Sequence, residues 1–266
     1  MFMKGIIGAI AGDIIGSTRE WHSIKTKDFE LFEYGSIFTD DTVMTLAVAN
    51  WLIQDKNSKE VLVDNLKYFG NRYINAGYGR SFYYWLSQES PEPYGSWANG
   101  SAMRVSPCAW VANSLKEAQN LAYTSAVVTH NHPEGIKGAL AIADAIYLAR
   151  TGASKEEIKY HVEENYKYDL SKSIDEIRPY YTFDVSCAGS VPESIICFLE
   201  ADDFEDTVRN AVSLGGDADT QAAIAGSIAS AFWDVPINIE ENTVKRLDDF
   251  LLDVLIDFED KLNSDI

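Results

Sequence analysis

Two short segments of this sequence place carboxylates and hydroxyls side by side before an apolar helical stretch. Residues 39–42 read TDDT, and residues 215–220 read GGDADT. Hard oxygen ligands of this kind suit Mg²⁺, Mn²⁺ or Ca²⁺ rather than Zn²⁺. If the two segments converge in the fold, they could hold two ions about 3.5–4 Å apart.

N-capping is the structural alternative for each segment. Asp and Thr favour the position before a helix, and a negative charge there stabilises the helix by about 0.3–1 kcal/mol. Capping requires only one such residue, whereas the two segments supply four carboxylates. In an extended loop Asp217 and Asp219 would point to the same side, and Gly215 and Gly216 would permit the tight path required. For either segment alone, capping and metal binding both remain open.

Three further segments contain candidate ligand contacts. Residues 12–20 (GDIIGSTRE) contain glycines that predict close helix packing. Residues 95–104 (GSWANGSAMR) can expose main-chain amides that cradle an anionic ligand, although an ordinary turn explains them equally well. Residues 129–133 (THNHP) place two histidines before a proline, which is more typical of a loop with satisfied hydrogen bonds.

The charge balance disfavours two classes of partner. The chain carries 22 basic and 41 acidic residues, for a net charge of −19. Proteins that bind nucleic-acid backbones or anionic membranes use clustered Lys and Arg, so we expect neither partner. A phosphate-bearing ligand would then be bound by local donors or by metal ions.

Cysteines and apolar runs bear on location. Cys108, Cys187 and Cys197 are odd in number and fit no zinc or CxxC spacing, which favours reduced thiols in a cytoplasmic protein. Residues 1–12 weakly resemble a secretion signal, but their apolar run is at the short limit and carries one Lys. No apolar run approaches the about 20 residues that a membrane span needs.

Helical periodicity dominates the sequence. Four stretches carry apolar residues at the spacing of one buried helix face, namely residues 44–52, 136–143, 224–232 and 244–258. We expect ten or more helices in a single domain over residues 1–266. Residues 180–185 are ambiguous between strand and loop.

Local signals predict where several helices begin and end. Starts are predicted where a short polar residue precedes Glu by three positions, at Asn57, Ser114, Ser154, Ser173 and Ser190. Ends are predicted at Gly152 and Gly215.

The segments TDDT, NGSAMR, TH and GGDADT, taken together and in this order, resemble the ADP-ribosylglycohydrolase family. The resemblance runs from Gly5 to about Trp233. It implies an all-α fold, a single compact multi-helix orthogonal globule with a binuclear Mg²⁺ or Mn²⁺ centre in a central cleft. It also implies a monomer that binds ADP-ribose or an ADP-ribosylated protein.

The same resemblance implies a set of site residues. The residues that match metal ligands are Thr39, Asp40, Asp41, Asp217, Asp219 and Thr220. Those that match the ADP-ribose contacts are Gly95, Ser96, Trp97, Asn99, Gly100, Ser101 and His130. Glu20 matches a family glutamate near the metal or the scissile bond, and Glu20, Asp40 and Asp41 are the catalytic candidates. Glu20 is the first choice for acid or base assistance, with a ligand aspartate as the alternative.

The implied reaction is metal-dependent hydrolysis of the glycosidic bond between ADP-ribose and an acceptor such as an arginine or serine side chain. Departures from the family pattern include Ile14-Ile15 where Ala-Leu is common, and Ala98 where some members have glycine. Neither removes a ligand, but the chain is shorter than the longer eukaryotic members, which leaves the acceptor open. Three alternatives remain: hydrolysis of a free ADP-ribose conjugate or nucleoside-like metabolite, a non-catalytic binding protein, and a helical isoprenoid synthase.

Overall fold

The computed structural model describes residues 3–264, and every regular element within them is a helix. These residues form fifteen helices: α1 Ile7–Gly16, α2 Asp40–Asp55, α3 Lys59–Arg72, α4 Arg80–Leu86, α5 Gly100–Met103, α6 Ser106–Trp110, α7 Leu115–Val127, α8 Pro133–Arg150, α9 Lys155–Tyr166, α10 Ile174–Ile177, α11 Cys187–Leu199, α12 Phe204–Ser213, α13 Ala218–Phe232, α14 Ile237–Val244 and α15 Asp249–Ser264. The predicted all-helical class is confirmed. Residues 180–185 form a turn and a loop, and an isolated bridge joins Ala98 to Ser186.

Helices α1 and α13 pack with their backbones in direct contact. Gly8, Gly12 and Gly16 recur every four residues along α1, so they share one face. A Cβ atom at Gly16 would lie 2.5 Å from the Cα of Asp219, and one at Gly8 would lie 2.5 Å from the carbonyl oxygen of Gly226. The predicted glycine packing is confirmed, and the antiparallel pairing sets the end of α1 beside the start of α13.

Helix α2 contacts both members of this pair. Its predicted apolar face is buried, with each of the following side chains at most 2% exposed: Met44, Ala47, Val48, Trp51 and Leu52. The start of α2 is thereby held near the start of α13. The two carboxylate-bearing segments of the sequence consequently face each other.

Most of the predicted helix boundaries are correct. Ser114, Ser154 and Ser173 each accept a hydrogen bond from the amide three residues later, and Gly152 and Gly215 follow helix ends with positive φ. Ser154 and Ser173 form complete capping boxes.

Two predicted helix starts are wrong. Ser58, which follows Asn57 and has an extended backbone, caps α3 by accepting from the amide of Val61. Ser186 caps α11, and the hydroxyl of Ser190 instead donates to the carbonyl of Ser186 inside the first turn. In both cases two polar residues lie near the start of the helix, and the backbone conformation makes the other residue, not the predicted one, the cap.

The remaining predictions concern the two ends of the chain. The apolar stripe over residues 244–258 is divided, because α14 ends at Val244 and α15 begins at Asp249. Of the signal-like residues 1–12, Met1 and Phe2 lie outside the described residues, and Ile7–Gly12 lies in the buried helix α1. No helix within residues 3–264 is long and apolar enough to cross a membrane.

The α1–α13 contact predicts the effect of adding one methyl group. Gly12→Ala places a Cβ against the backbone of Ala222, so we expect destabilisation of about 1–3 kcal/mol, the usual cost of overpacking. Gly79→Ala is the matched control, because a Cβ there meets no atom within 4 Å and φ is −58°. Thermal unfolding of both variants measures the difference. Equal melting temperatures would contradict backbone contact between the two helices.

Candidate active site

A cavity of about 660 Å³ collects residues from distant parts of the chain. The predicted site residues that line it are Glu20, Asp40, Asp41, Gly95, Ser96, Trp97, Asn99, Gly100, His130, Asp217, Asp219 and Thr220. Thr39 and Ser101 do not line it. The structure thus brings the two carboxylate segments and the amide-rich segment to one place.

Asp13 holds the TDDT segment against α1. Its carboxylate is fully buried and accepts four hydrogen bonds, from the main-chain amides and the hydroxyls of Thr39 and Thr42. The two amide bonds measure 2.9 and 3.0 Å. Sequence reasoning missed Asp13 as a functional residue. The available signal was that Asp13 is the single charged residue in the apolar run of residues 5–16.

The carboxylates form two overlapping clusters that share Asp219. One oxygen from each of Asp13, Asp41 and Asp219 lies within 4.8 Å of the others, and the same holds for Glu20, Asp217 and Asp219. The Oδ1 atom of Asp41 is buried without a hydrogen-bond partner. This orphaned oxygen in an all-oxygen cluster fits a hard divalent cation.

Neighbouring polar groups orient the clustered carboxylates. The side-chain amide of Asn99 donates to Asp217 at 2.7 Å, and the hydroxyl of Thr220 donates to Asp41 at 3.2 Å. The main-chain amide of Thr220 donates to Asp219 at 2.9 Å. These contacts orient the carboxylates of Asp41, Asp217 and Asp219.

Capping does not account for the four aspartates. The cap of α2 is Thr39, whose hydroxyl accepts from the amide of Asp41 at 3.4 Å. Asp217 occupies the cap position of α13, yet its side chain makes no capping hydrogen bond. Capping hydrogen bonds therefore do not explain these carboxylates, although Asp40, Asp41 and Asp219 lie in first helical turns, where the helix dipole favours a negative charge.

Burial raises the pKa of every carboxyl in the two clusters, and the charge of neighbouring carboxylates raises the pKa of Glu20, Asp41, Asp217 and Asp219 further. Burial and the charge of Asp219 raise the pKa of Asp41 well above its ordinary value, and burial and Asp217 do the same for Asp219. Burial raises the pKa of Asp217 to about 6. Burial and the neighbouring Asp219 raise the pKa of Glu20 to about 7. A bound cation would relieve this repulsion.

Thr39 and Ser101 contact other protein groups instead of the cavity. The hydroxyl of Thr39 donates to Asp13 at 2.6 Å and accepts from the amide of Asp41, so one lone pair remains for the metal ion that Thr39 is predicted to bind. The hydroxyl of the fully buried Ser101 donates to the carbonyl of Gly135 at 2.7 Å. Ser101 therefore anchors the start of α5 to α8.

Residues 95–100 form a further part of the cavity lining, the amide wall, and Asn99 connects this wall to Asp217. Gly95 adopts φ +70°, and its amide donates to the side chain of Asn131 at 2.7 Å. The amide of Asn99 donates to the carbonyl of Val185 at 2.8 Å. Trp97 remains 51% exposed, so its ring is free to meet a ligand.

The two histidines of residues 129–133 have different environments. His130 is buried beside this wall, and its Nδ1 atom lies 2.7 Å from the hydroxyl of Thr129. His132 caps α8 by accepting from the amide of Glu134. The interpretation of both as ordinary loop histidines fits His132, whereas His130 lines the cavity.

Sequence reasoning also missed several aromatic residues that line the cavity, among them a stacked pair and Tyr78. Trp21 and Phe183 stack with ring centroids 5.5 Å apart, and they are 75% and 44% exposed. The hydroxyl of Tyr78 is buried without a partner. The available signal for Trp21 was its position directly after Glu20; Phe183 lies far away in sequence and gave none.

The chain has relatives among known proteins. A sequence model of the ADP-ribosylglycohydrolase family matches residues 2–265. The chain is 27% identical to ADP-ribosylhydrolase ARH3 of Mus musculus, over 87% of this chain and 83% of that protein. It is also 27% identical to ADP-ribosylarginine hydrolase Tri1 of Pseudomonas putida strain GB-1, over 86% of this chain and 70% of that protein.

The fold has a counterpart among solved structures. An ADP-ribosylglycohydrolase-related protein complex superposes with a TM-score of 0.71 and 20% identity, over 96% of both chains. At that identity the likeness concerns the fold.

The raised pKa values predict an unusual pH dependence of metal-free stability. A carboxyl whose pKa is raised on folding stabilises the folded state while protonated, and that contribution is lost as pH rises through the folded pKa. In EDTA we therefore expect the melting temperature to fall between about pH 4 and pH 7, the interval spanned by the ordinary carboxyl values and those of Asp217 and Glu20. Saturating Mg²⁺ should reverse the fall.

The control for this experiment separates the cluster from overall charge. Asp219→Asn should flatten the pH dependence in EDTA, whereas Asp260→Asn, which removes the same charge from an exposed position on α15, should not. Identical pH profiles for the two variants would count against a coupled carboxylate cluster.

Proposed function

The chain belongs to the ADP-ribosylglycohydrolase family and is a glycohydrolase, and from this premise we propose that it releases ADP-ribose from a modified acceptor in a reaction dependent on two Mg²⁺ or Mn²⁺ ions. The observation that carries the proposal is the buried carboxylate cluster in one cavity with the amide-rich segment. The acceptor is a protein side chain such as arginine or serine. The name of the relative Tri1 specifies ADP-ribosylarginine.

In this proposal the cations are held by Thr39, Asp40, Asp41, Asp217, Asp219 and Thr220. When bound, they would orient the hydroxyls of the distal ribose and lower the pKa of the attacking water. Asp13 positions the TDDT segment, and Asn99 orients Asp217. The non-catalytic alternative is disfavoured because each of these ligand residues is present.

Glu20 is the proposed proton-transfer group. In the metal-free protein, burial and the charge of Asp219 raise its pKa to about 7, close to the value that a general acid or base requires; bound cations would lower this pKa. Glu20 is only half-buried, so its carboxyl is accessible to an acceptor that enters from solvent. The residue can therefore protonate the departing acceptor or accept a proton from water.

The amide wall is the proposed site for the diphosphate and the adjoining sugar. Of its predicted contacts Gly95, Ser96, Trp97, Asn99 and Gly100, the amides of Gly95 and Asn99 already donate to Asn131 and Val185, so the amides of Ser96, Trp97 and Gly100 and the partly exposed ring of Trp97 face the ligand. Main-chain amides bind an anion without adding cations to an acidic cavity. Ser101 supports this wall from behind, and its predicted direct contact with ligand stays a prediction.

Trp21 and Phe183 are the proposed contact for the acceptor. They line the cavity together with Glu20, and their exposed faces remain available to a group outside it. Aromatic faces bind planar cations and peptide groups alike. The panel of modified substrates described next distinguishes an arginine acceptor, which is a planar cation, from other acceptors.

Release of ADP-ribose from a panel of substrates tests the function. Proteins modified on arginine, serine or acidic side chains are compared with free ADP-ribose conjugates and with modified nucleic acid. Efficient release from free conjugates alone would favour the metabolite alternative. No release from any member would contradict the proposal.

Asp219→Asn tests the metal site. Because Asn caps a helix about as well as Asp, a capping role predicts a mild effect, whereas loss of a shared anionic ligand should lower release at least ~100-fold. Activity should also vanish in EDTA and return with Mg²⁺ or Mn²⁺ but not with Zn²⁺ alone. The exposed variant Asp260→Asn is the control. Near wild-type release by Asp219→Asn at saturating Mg²⁺ would overturn the metal assignment.

Trp21→Ala tests the acceptor side. We expect a several-fold higher KM for an ADP-ribosylated protein and an unchanged affinity for free ADP-ribose, because the ring contacts only the acceptor in this proposal. Tyr160→Ala removes a similarly exposed aromatic ring from α9 and serves as the control. Equal losses of affinity for both ligands would place Trp21 on the ADP-ribose side instead.

A further inference from the structure

Arg104 is a buried cation without a carboxylate partner in the described part of the chain. Its side chain is 1% exposed, and it appears in no ion pair within residues 3–264. Its Nη2 atom donates to the carbonyl of Ser125 at 2.6 Å and to the hydroxyl of Thr129 at 2.8 Å. Burial lowers the pKa of Arg104 to about 10, so it remains charged at neutral pH.

The hydroxyl of Thr129 connects Arg104 to His130. Arginine has donors and no acceptor, so this contact uses a lone pair of the hydroxyl oxygen. The same oxygen lies 2.7 Å from Nδ1 of His130. Thr129 is fully buried, and an unused hydroxyl proton there would be costly. The hydroxyl therefore donates its proton to Nδ1.

A histidine that accepts at Nδ1 and is neutral carries its proton on Nε2. Burial and the charge of Arg104 lower the pKa of His130 well below its ordinary value, which keeps the ring neutral. The Nε2 edge faces Gly100, where a Cβ would lie only 3.0 Å from the Nε2 atom. Glycine at position 100 thus leaves this edge of the ring open to the cavity.

We propose that Arg104 and Thr129 are positioning residues that fix His130 in the Nε2–H tautomer, so that the ring presents an uncharged hydrogen-bond donor to the diphosphate of the ligand. The role toward the ligand rests on the proposed function, whereas the tautomer does not. The opposite tautomer would turn a lone pair toward a phosphate oxygen and repel it. Because this donor is uncharged, it also forms no ion pair with the carboxylates that line the same cavity.

Nitrogen-15 NMR of the histidine rings in the metal-free protein measures the tautomer directly. The signals of His130 are assigned by comparison with His130→Gln among the four histidines of the chain. Near pH 7 we expect Nδ1 to be unprotonated and Nε2 protonated. An Nδ1–H tautomer or a cationic ring in the wild-type protein would overturn the proposal.

Variants of Thr129 test whether its hydroxyl, held by Arg104, positions the ring of His130. Thr129→Val removes the hydroxyl at similar volume, so we expect a mixture of tautomers and about tenfold weaker binding of ADP-ribose in Mg²⁺, with KM raised more than kcat is lowered. Thr129→Ser keeps the hydroxyl and should restore both the tautomer and the affinity. Circular dichroism and melting temperature check that each variant folds.

The outcomes separate this inference from the proposed function. Retention of the Nε2–H tautomer and of full ADP-ribose affinity by Thr129→Val would overturn the proposal that Arg104 and Thr129 position His130. Arg104→Met should shift the tautomer in the same direction, since the Thr129 hydroxyl then loses the donor that orients it. A wild-type protein with the expected tautomer that binds no ADP-ribose would confirm the tautomer assignment and contradict the proposed function.

Discussion

The direct contact between the backbones of α1 and α13 is the constraint on which the site depends. Because Gly8, Gly12 and Gly16 carry no side chains, the two helices approach until main-chain atoms touch. That approach sets Asp13, near the end of α1, beside Asp219 at the start of α13. Any wider spacing would separate the carboxylates that form the shared cluster.

The closeness of these carboxylates has an electrostatic cost. Desolvation and like charge disfavour ionisation of each group, and the positive ends of α2 and α13 offset only part of that cost. The hydrogen bonds from Asn99 and Thr220 orient the carboxylates but do not neutralise them, because neither residue carries a positive charge. A cluster built in this way could hold cations, and its stability without them should be limited.

The cavity separates groups that suit cations from groups that suit an anion. The carboxylates suit divalent ions, and the amide wall adds main-chain amides and the neutral ring of His130. Arg104 is buried next to this wall, and its contact with Thr129 orients the hydroxyl that meets His130. In the proposed function, this separation lets an acidic protein bind a diphosphate and metal ions in the same cavity.

Local patterns in the sequence determined the helical class, the buried face of α2, and the caps at Ser114, Ser154 and Ser173. These features depend on neighbours within a few residues, which periodicity and capping chemistry report directly. Only the tertiary structure decided that Asp13 anchors Thr39, that Ser101 turns toward Gly135, that Trp21 meets Phe183, and that Thr129 connects Arg104 to His130. Most of these contacts join residues that are far apart in sequence, and the direction of a side chain depends on which partners the packed helices bring within reach.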